Sequence, residues 1–262
     1  MQPISSLTKA TAAALRFVLF DIDDTVTTAG KLTAEAYSAM WHLKEAGLSL
    51  IPVTGRPAGW CDMILRQWPV AAVIGENGAF TMHFSEEGKP PRMLLHPNAP
   101  HDPKEKLLPL QRAVLQRFPL ARAAADQFAR IYDIAIDFCE DEPKLPLSYA
   151  EEIRAFCESM GAEAKVSSIH VNAWYGKYDK RSMAEYYFAQ ILKEEIGETA
   201  IFFGDSPNDA PMFARFPLSC GVRNIAPFVG SMSALPRFVT EGCGGAGFAE
   251  AVAHILALRE EQ

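Results

Sequence analysis

The 262-residue chain is 49% hydrophobic and carries a formal net charge of -7, so it can bury roughly three-quarters of its unfolded surface as one large domain or two modest ones. The excess of acid leaves no broad basic field for a nucleic-acid backbone, and no run reaches about 18 apolar residues, so no membrane-spanning segment is expected. Five cysteines, Cys61, Cys139, Cys157, Cys220 and Cys243, are odd in number and never spaced C-x-x-C, which argues against a disulfide framework and a zinc site and for reduced thiols. Lys9 and Arg16 surround a short Ala-rich stretch with no sustained apolar core, and a cytoplasmic location is the expectation.

In chain order, residues 16–20 (Arg-Phe-Val-Leu-Phe) form a continuous apolar run ending in carboxylates, the pattern of a strand buried on both faces. After Gly30, Thr33 is placed to cap a helix carrying Tyr37, Met40, Trp41 and Leu43, with Gly47 as its stop. A strand over 48–53, a helix over about 58–67 and a short strand over 71–74 complete a βαβαβ half. The pattern then loosens. Prolines at 90–91 and between 97 and 103 precede a helix over about 103–118, a strand over 131–136, a helix over about 147–160, and strands over 162–167 and 169–174. This reads as an inserted α+β domain over 82–171. The α/β pattern resumes with a helix over about 180–195, strands over 200–203 and 218–222, and a last helix over about 247–258. The expected fold is a doubly wound, mostly parallel α/β core over 1–81 and 172–262, interrupted by an α+β cap.

Four clusters carry chemistry. Asp21-Ile22-Asp23-Asp24-Thr25 sits where the first buried strand ends, so that Asp21 and Asp23 share a small volume and repel unless protonated or bridged by a cation. Gly204-Asp205-Ser206-Pro207-Asn208-Asp209 follows a second all-apolar strand. If the two strands are parallel neighbours, both acid clusters open onto one crevice, and several converging oxygens suit a hard cation such as Mg²⁺. Thr54-Gly55-Arg56 offers a hydroxyl and a backbone N–H for phosphate oxygens at a third strand end. Lys180 stands at the start of a helix, where a cation is slightly unfavourable to the dipole. Taken singly, each is also an ordinary acidic turn, strand exit or surface lysine.

Together and in this order, the motifs resemble those of the haloacid dehalogenase-like phosphatases. The resemblance implies that Asp21 is the nucleophile and passes through an aspartyl phosphate, and that Asp23 is the general acid and base. It implies Mg²⁺ held by Asp21, the backbone carbonyl of Asp23, Asp205 and Asp209, a phosphoryl group bound by Thr54 and Lys180, and Asn208 orienting Lys180. The insertion between the threonine and lysine motifs, entered through Gly75-Glu76-Asn77-Gly78-Ala79, is similar to the Cof-type, or type IIB, cap, whose bearers act on phosphorylated sugars. Gly55, Arg56 and Asn77 are then expected near the substrate. Asp24 and Arg181-Ser182 stand where many relatives carry glycine, and neither change removes a required group.

The expected function is therefore Mg²⁺-dependent hydrolysis of a small phosphomonoester. The partner is a small phosphorylated molecule, without nucleic acid or membrane, and the protein is a monomer or small homo-oligomer. A mutase or phosphotransferase would use the same aspartyl phosphate, and a non-catalytic phosphosugar-binding protein would keep the same fold. Two weaker patterns receive structural readings. Residues 242–247 fit G-x-G-x-x-G, but the chain after them is too short for a dinucleotide unit. His170, Asn172 and Trp174 alternate on one strand face and either contact a sugar in the cap or pack at the joint between cap and core, with packing the favoured reading.

Overall fold

The apolar run that ends in Asp21 forms the strand Phe17–Phe20 in the computed structural model, which describes residues 1–86 and 88–260. Parallel strands flank it on both sides: Ser49–Pro52, with Phe20 opposite Pro52, and Ala200–Gly204, with Phe20 opposite Phe203. Leu218–Gly221, Phe238–Val239 and Gln2–Pro3 complete a six-stranded parallel sheet. Val18, Phe20, Leu50, Ile201 and Phe203 pack on one face against Met40, Leu43, Ile64, Phe248 and Val252. Phe17, Leu19, Ile51 and Phe202 pack on the other against Met183, Ala184, Tyr187, Phe188 and Phe213. Helices thus cover both faces, which is why the strands read as unbroken apolar runs, and the core is doubly wound as expected.

The helices follow the sequence closely. Ala34–Glu45 begins after Thr33, whose hydroxyl accepts the Ala36 N–H. Ala58–Gln67 returns the chain to the strand Ala72–Gly75, which is bridged to the core sheet through Val53 and Ile74. The helix expected over 180–195 is α-helical only over Lys180–Tyr187 and continues as a wider π-helical turn over Phe188–Leu192. The last helix, Gly244–Glu260, starts earlier than expected, because Gly245 N–H bonds Thr28 and draws the glycine run into its first turn. No helix among the described residues is long and apolar enough to cross a membrane.

A second, antiparallel sheet contains Arg122–Ala123, Asp133–Asp137, His170–Trp174 and Glu163–Val166. Ile134, Ile136, Ala164, Val171 and Ala173 pack against the helices Lys104–Arg117 and Leu147–Ser159. The alternate residues Asp133, Asp137, His170 and Asn172 occupy the opposite face of this sheet. The expected domain boundaries at 81 and 171 fall inside strands. Phe80–His83 and Arg92–Leu95 form a three-stranded antiparallel sheet with Ala72–Gly75, and His170–Trp174 is central in the second sheet. The prolines at 90–91 suggest a linker, whereas they fall in the turn between two paired strands, and the hairpin is held to the core by pairing with the preceding strand Ala72–Gly75.

The two parts meet at Glu76. Glu76, Asn77 and Gly78 all take positive φ (43°, 57° and 103°), which for a glutamate costs on the order of 1 kcal/mol or more. The turn allows the buried Glu76 carboxylate to accept N–H bonds from Ala58 in the core and from Ile131, Tyr132 and Asp133 at the edge of the second sheet. Gly78 is required by contact as well as by φ, since a Cβ there would lie 2.1 Å from the Asp179 carbonyl oxygen. Burial, with the Asp133 charge adding to it, pushes the Glu76 carboxyl up to about 7. A folded-state value above the unfolded one means that this group's contribution to stability is lost as the pH rises from about 4.5 to 7. Glu76→Gln turns an amide toward N–H donors and is expected to cost about 1–3 kcal/mol. Because the wild type alone titrates there, the cost should be larger at pH 5 than at pH 8, by more than ~1 kcal/mol; denaturant unfolding at both pH values checks this, and equal costs would contradict it.

Candidate functional site

The parallel register brings the motif-bearing strand ends together. With Phe20 opposite both Pro52 and Phe203, the chain exits at Asp21, Val53-Thr54 and Gly204-Asp205 on one edge of the sheet, and the Asp21 N–H donates to the Phe203 carbonyl oxygen at 2.9 Å. Asp21, Asp205 and Asp209 each offer a carboxylate oxygen, and the three atoms lie within 4.8 Å of one another. Gly204 makes this possible. A Cβ there would sit 2.5 Å from the Asp209 carboxylate, which instead folds back to accept the Asp205 N–H at 3.1 Å.

Lys180 holds the cluster together. Its Nζ lies 2.9 Å from Asp21 Oδ2 and 2.8 Å from Asp209 Oδ1, and its side chain is almost wholly buried. Asp179 caps the helix that carries it, accepting the Ser182 N–H while Ser182 Oγ accepts the Asp179 N–H, a reciprocal box that fixes the first turn. The expectation that Asn208 orients Lys180 is corrected by this geometry. The aspartates position the ammonium, and the Asn208 amide oxygen instead accepts the Ser206 hydroxyl.

The charges do not balance within the protein. Burial pushes the Asp21 carboxyl up to about 7 against the pull of Lys180, with Asp209 and Asp23 adding repulsion. Burial, then Asp209 and Asp21, likewise hold Asp205 well above the ordinary carboxylate range. Burial opposes the charge on Lys180, but Asp209 and Asp21 outweigh it and raise its pKa. Fully ionised, the three carboxylates against one ammonium would leave two negative charges, which one divalent cation would balance, and the donors are all the hard oxygens that Mg²⁺ prefers. The residues therefore fit such an ion.

Asp23 projects from the same turn into a narrow cavity of about 10 Å³. Its walls include Asp21, Asp23, Gly55, Arg56, His170, Asn172 and Asn208. Arg56 donates to both Asp23 oxygens, at 2.8 and 2.9 Å, and reaches Glu140 at 2.8 Å and Asp126 at 3.3 Å on the cap side. Its guanidinium also lies 4.3 Å from the Trp60 ring centroid. Thr54 is fully buried and its hydroxyl accepts the Arg56 N–H. Asn77 lies behind the site, packed under Gly55 and donating to Asp133. Of the alternating trio, Trp174 packs as read, stacked on Tyr178, whereas His170 and Asn172 line the cavity.

Sequence reasoning passed over several contributors. Thr25 donates to Asp205 Oδ1 at 3.0 Å. Asn224 donates to the Asp24 carbonyl oxygen and accepts the Gly244 N–H, so it ties the acidic turn to the last helix. Its position just beyond the strand Leu218–Gly221, on the edge that carries the other motifs, was the available signal. Glu140 and Asp126 gave none, because they reach the site only through the folding of the insertion.

Residues 18–92 match the family model described as haloacid dehalogenase-like hydrolase. No curated protein matches the chain. Among solved structures, the chain is similar to protein 0175 of Thermoplasma acidophilum, at 16% identity and a TM-score of 0.72, with 92% of this chain and 98% of that one covered. It is also similar to the sucrose-phosphatase of Synechocystis sp. PCC6803, at 16% identity and a TM-score of 0.66, covering 92% and 97%. A sugar phosphatase of haloacid dehalogenase subclass IIB is likewise similar, at 14% identity and a TM-score of 0.64, covering 93% and 99%. These likenesses concern the fold, cap included. Residues 18–92 thus match the haloacid dehalogenase-like hydrolase model, and the fold of these solved structures extends over nine-tenths of the chain.

Proposed function

We propose that the protein is a cytoplasmic Mg²⁺-dependent phosphatase acting on a small phosphomonoester, with a phosphorylated sugar as the substrate class and residues of the insertion serving as a cap over the core. The observation that carries this reading is the Asp21 carboxylate at the end of the strand Phe17–Phe20, bound by Lys180 within a three-carboxylate cluster and facing the same cavity as Asp23. The sucrose-phosphatase and the subclass IIB sugar phosphatase of the same fold support the substrate class.

In this mechanism the Asp21 carboxylate attacks phosphorus, the bond to the leaving oxygen breaks, and Asp23 donates the proton that this oxygen needs. Asp23, now a carboxylate, takes a proton from water as the water oxygen attacks the same phosphorus. The acyl phosphate opens, Asp21 is regenerated and inorganic phosphate leaves. Lys180 keeps Asp21 oriented and places positive charge beside the phosphoryl oxygens. Bound Mg²⁺, held by Asp21, Asp205, Asp209 and the Asp23 carbonyl, supplies charge neutralisation for the phosphoryl group. Thr54 fixes the turn that presents the Gly55 and Arg56 backbone to a phosphate. Two features describe a closed resting form: the cavity has room for about one water, and Arg56 occupies both Asp23 oxygens. A phosphate ester enters only when cap and core separate, and Asp23 acts as an acid only when Arg56 releases it.

Two outcomes test the reading. Asp21→Asn keeps the side-chain size and should lower phosphate release by on the order of 10³-fold or more while preserving the thermal midpoint; unchanged turnover would refute the nucleophile. Mg²⁺ at about 100 times its Kd should add about 2.7 kcal/mol to folding stability, and Asp205→Asn should remove most of that gain. Thermal unfolding with and without Mg²⁺ checks this, and no shift in the wild type would contradict a metal site.

A further inference from the structure

A second space opens on Asp23. It is a cleft of about 270 Å³ between the acidic turn, the hairpin beginning at Thr27 and the segment around residue 140 of the cap, with Asp23, Asp24, Arg56, Glu140, Lys144 and Ser168 among its walls. The proton from Asp23 goes to the leaving oxygen, so the leaving group lies on the Asp23 side of phosphorus, and this cleft is the space beside it. Resting on the phosphatase reading, we propose that Glu140 is a specificity-determining residue that selects a neutral, polyhydroxylated leaving group.

The segment that carries Glu140 has no regular secondary structure, yet it is fastened along its length. Asp137 accepts the Glu140 N–H at 2.8 Å, and Arg122 bonds both Asp137 and the carbonyl oxygens of Asp141 and Glu142. The Phe138 and Cys139 N–H groups both bond the Ile169 carbonyl oxygen. Glu140 thereby stands at a fixed point on the cleft. Its carboxylate divides its oxygens between two buried partners, Arg56 Nη2 at 2.8 Å and His170 Nε2 at 2.7 Å, while the side chain itself stays 28% exposed. The His170 bond first, then Arg56 against the opposing effect of burial, depresses its pKa to about 2, so it is an acceptor without a proton to give.

An ionised carboxylate beside a guanidinium matches hydroxyl groups, which both donate and accept. It also repels a second anion. With Asp23 protonated for its step, Asp24 and Glu140 offset Arg56 and Lys144 on the cleft walls, and Arg56 stays bonded to Glu140 and Asp126. A leaving group with its own carboxylate therefore finds no excess of positive charge here and lies against the Glu140 carboxylate, and a sugar carries no such charge.

The test compares wild type and Glu140→Gln on glucose 6-phosphate, 6-phosphogluconate and p-nitrophenyl phosphate, with the thermal midpoint measured on the same samples. The neutral amide keeps the size of the side chain and removes its charge. On Glu140→Gln, kcat/KM for glucose 6-phosphate should fall at least tenfold more than that for p-nitrophenyl phosphate, whose leaving group has no hydroxyl to recognise, mainly through KM. The wild-type preference for glucose 6-phosphate over 6-phosphogluconate should shrink severalfold in the variant. Equal losses on all three substrates would reduce Glu140 to a structural prop and overturn the assignment alone. No phosphate release from any substrate by the wild type would overturn the phosphatase reading, and the assignment with it.

Discussion

Three buried carboxylates share a space less than 5 Å across with a single lysine, and the rest of the architecture serves that arrangement. At about 5 Å and an effective dielectric constant near 20, each pair of like charges repels by about 3 kcal/mol. Water would relieve this, but the residues are almost fully buried. The cost is tolerated because Asp21 and Asp205 leave adjacent parallel strands in matched register, Gly204 admits the Asp209 carboxylate, and Thr25 and the Asp205 N–H supply hydrogen bonds. What remains, fully ionised, is an acceptor site short of two positive charges. Such a site is poised for a divalent cation and, through it, for a phosphate that would otherwise be repelled.

The link between core and cap follows a different principle. Glu76 collects N–H groups from both sides, and Arg130 bonds the Gly55 carbonyl oxygen as well as Asp126 and Asp133. These buried ionic groups specify where the two parts meet more than they stabilise the fold, since desolvation consumes much of what the pairs return. Arg56 is the counterpart of that system at the cavity, itself buried. It joins Asp23 in the core to Glu140 and Asp126 across the joint, so the contact that closes the molecule is also the one a substrate must rearrange.

The parallel core was legible because its strands are buried on both faces and announce themselves as apolar runs, and because Asp21, Thr54 and Asp205 each stand directly after one. The hairpin over Phe80–His83 and Arg92–Leu95 was not, because the prolines at 90–91 fall between its two strands and resemble a linker. Lys180 was found, but its orienting partners were assigned to Asn208 rather than to the aspartates, a choice that depends on side-chain direction and not on spacing. Asn77 was expected in the site and instead supports it from behind. Glu140, Asp126 and Asn224 owe their places to long-range packing, and a single sequence marks such positions faintly or not at all.

The central claim is that Asp21 itself becomes phosphorylated. The most direct measurement is borohydride reduction of the enzyme during turnover with Mg²⁺, followed by peptide mass analysis, since an aspartyl phosphate is reduced to homoserine while a free carboxylate is untouched. The account predicts homoserine at position 21, dependent on substrate and Mg²⁺. Continued phosphate release with an unmodified Asp21, or homoserine at another aspartate, would contradict it.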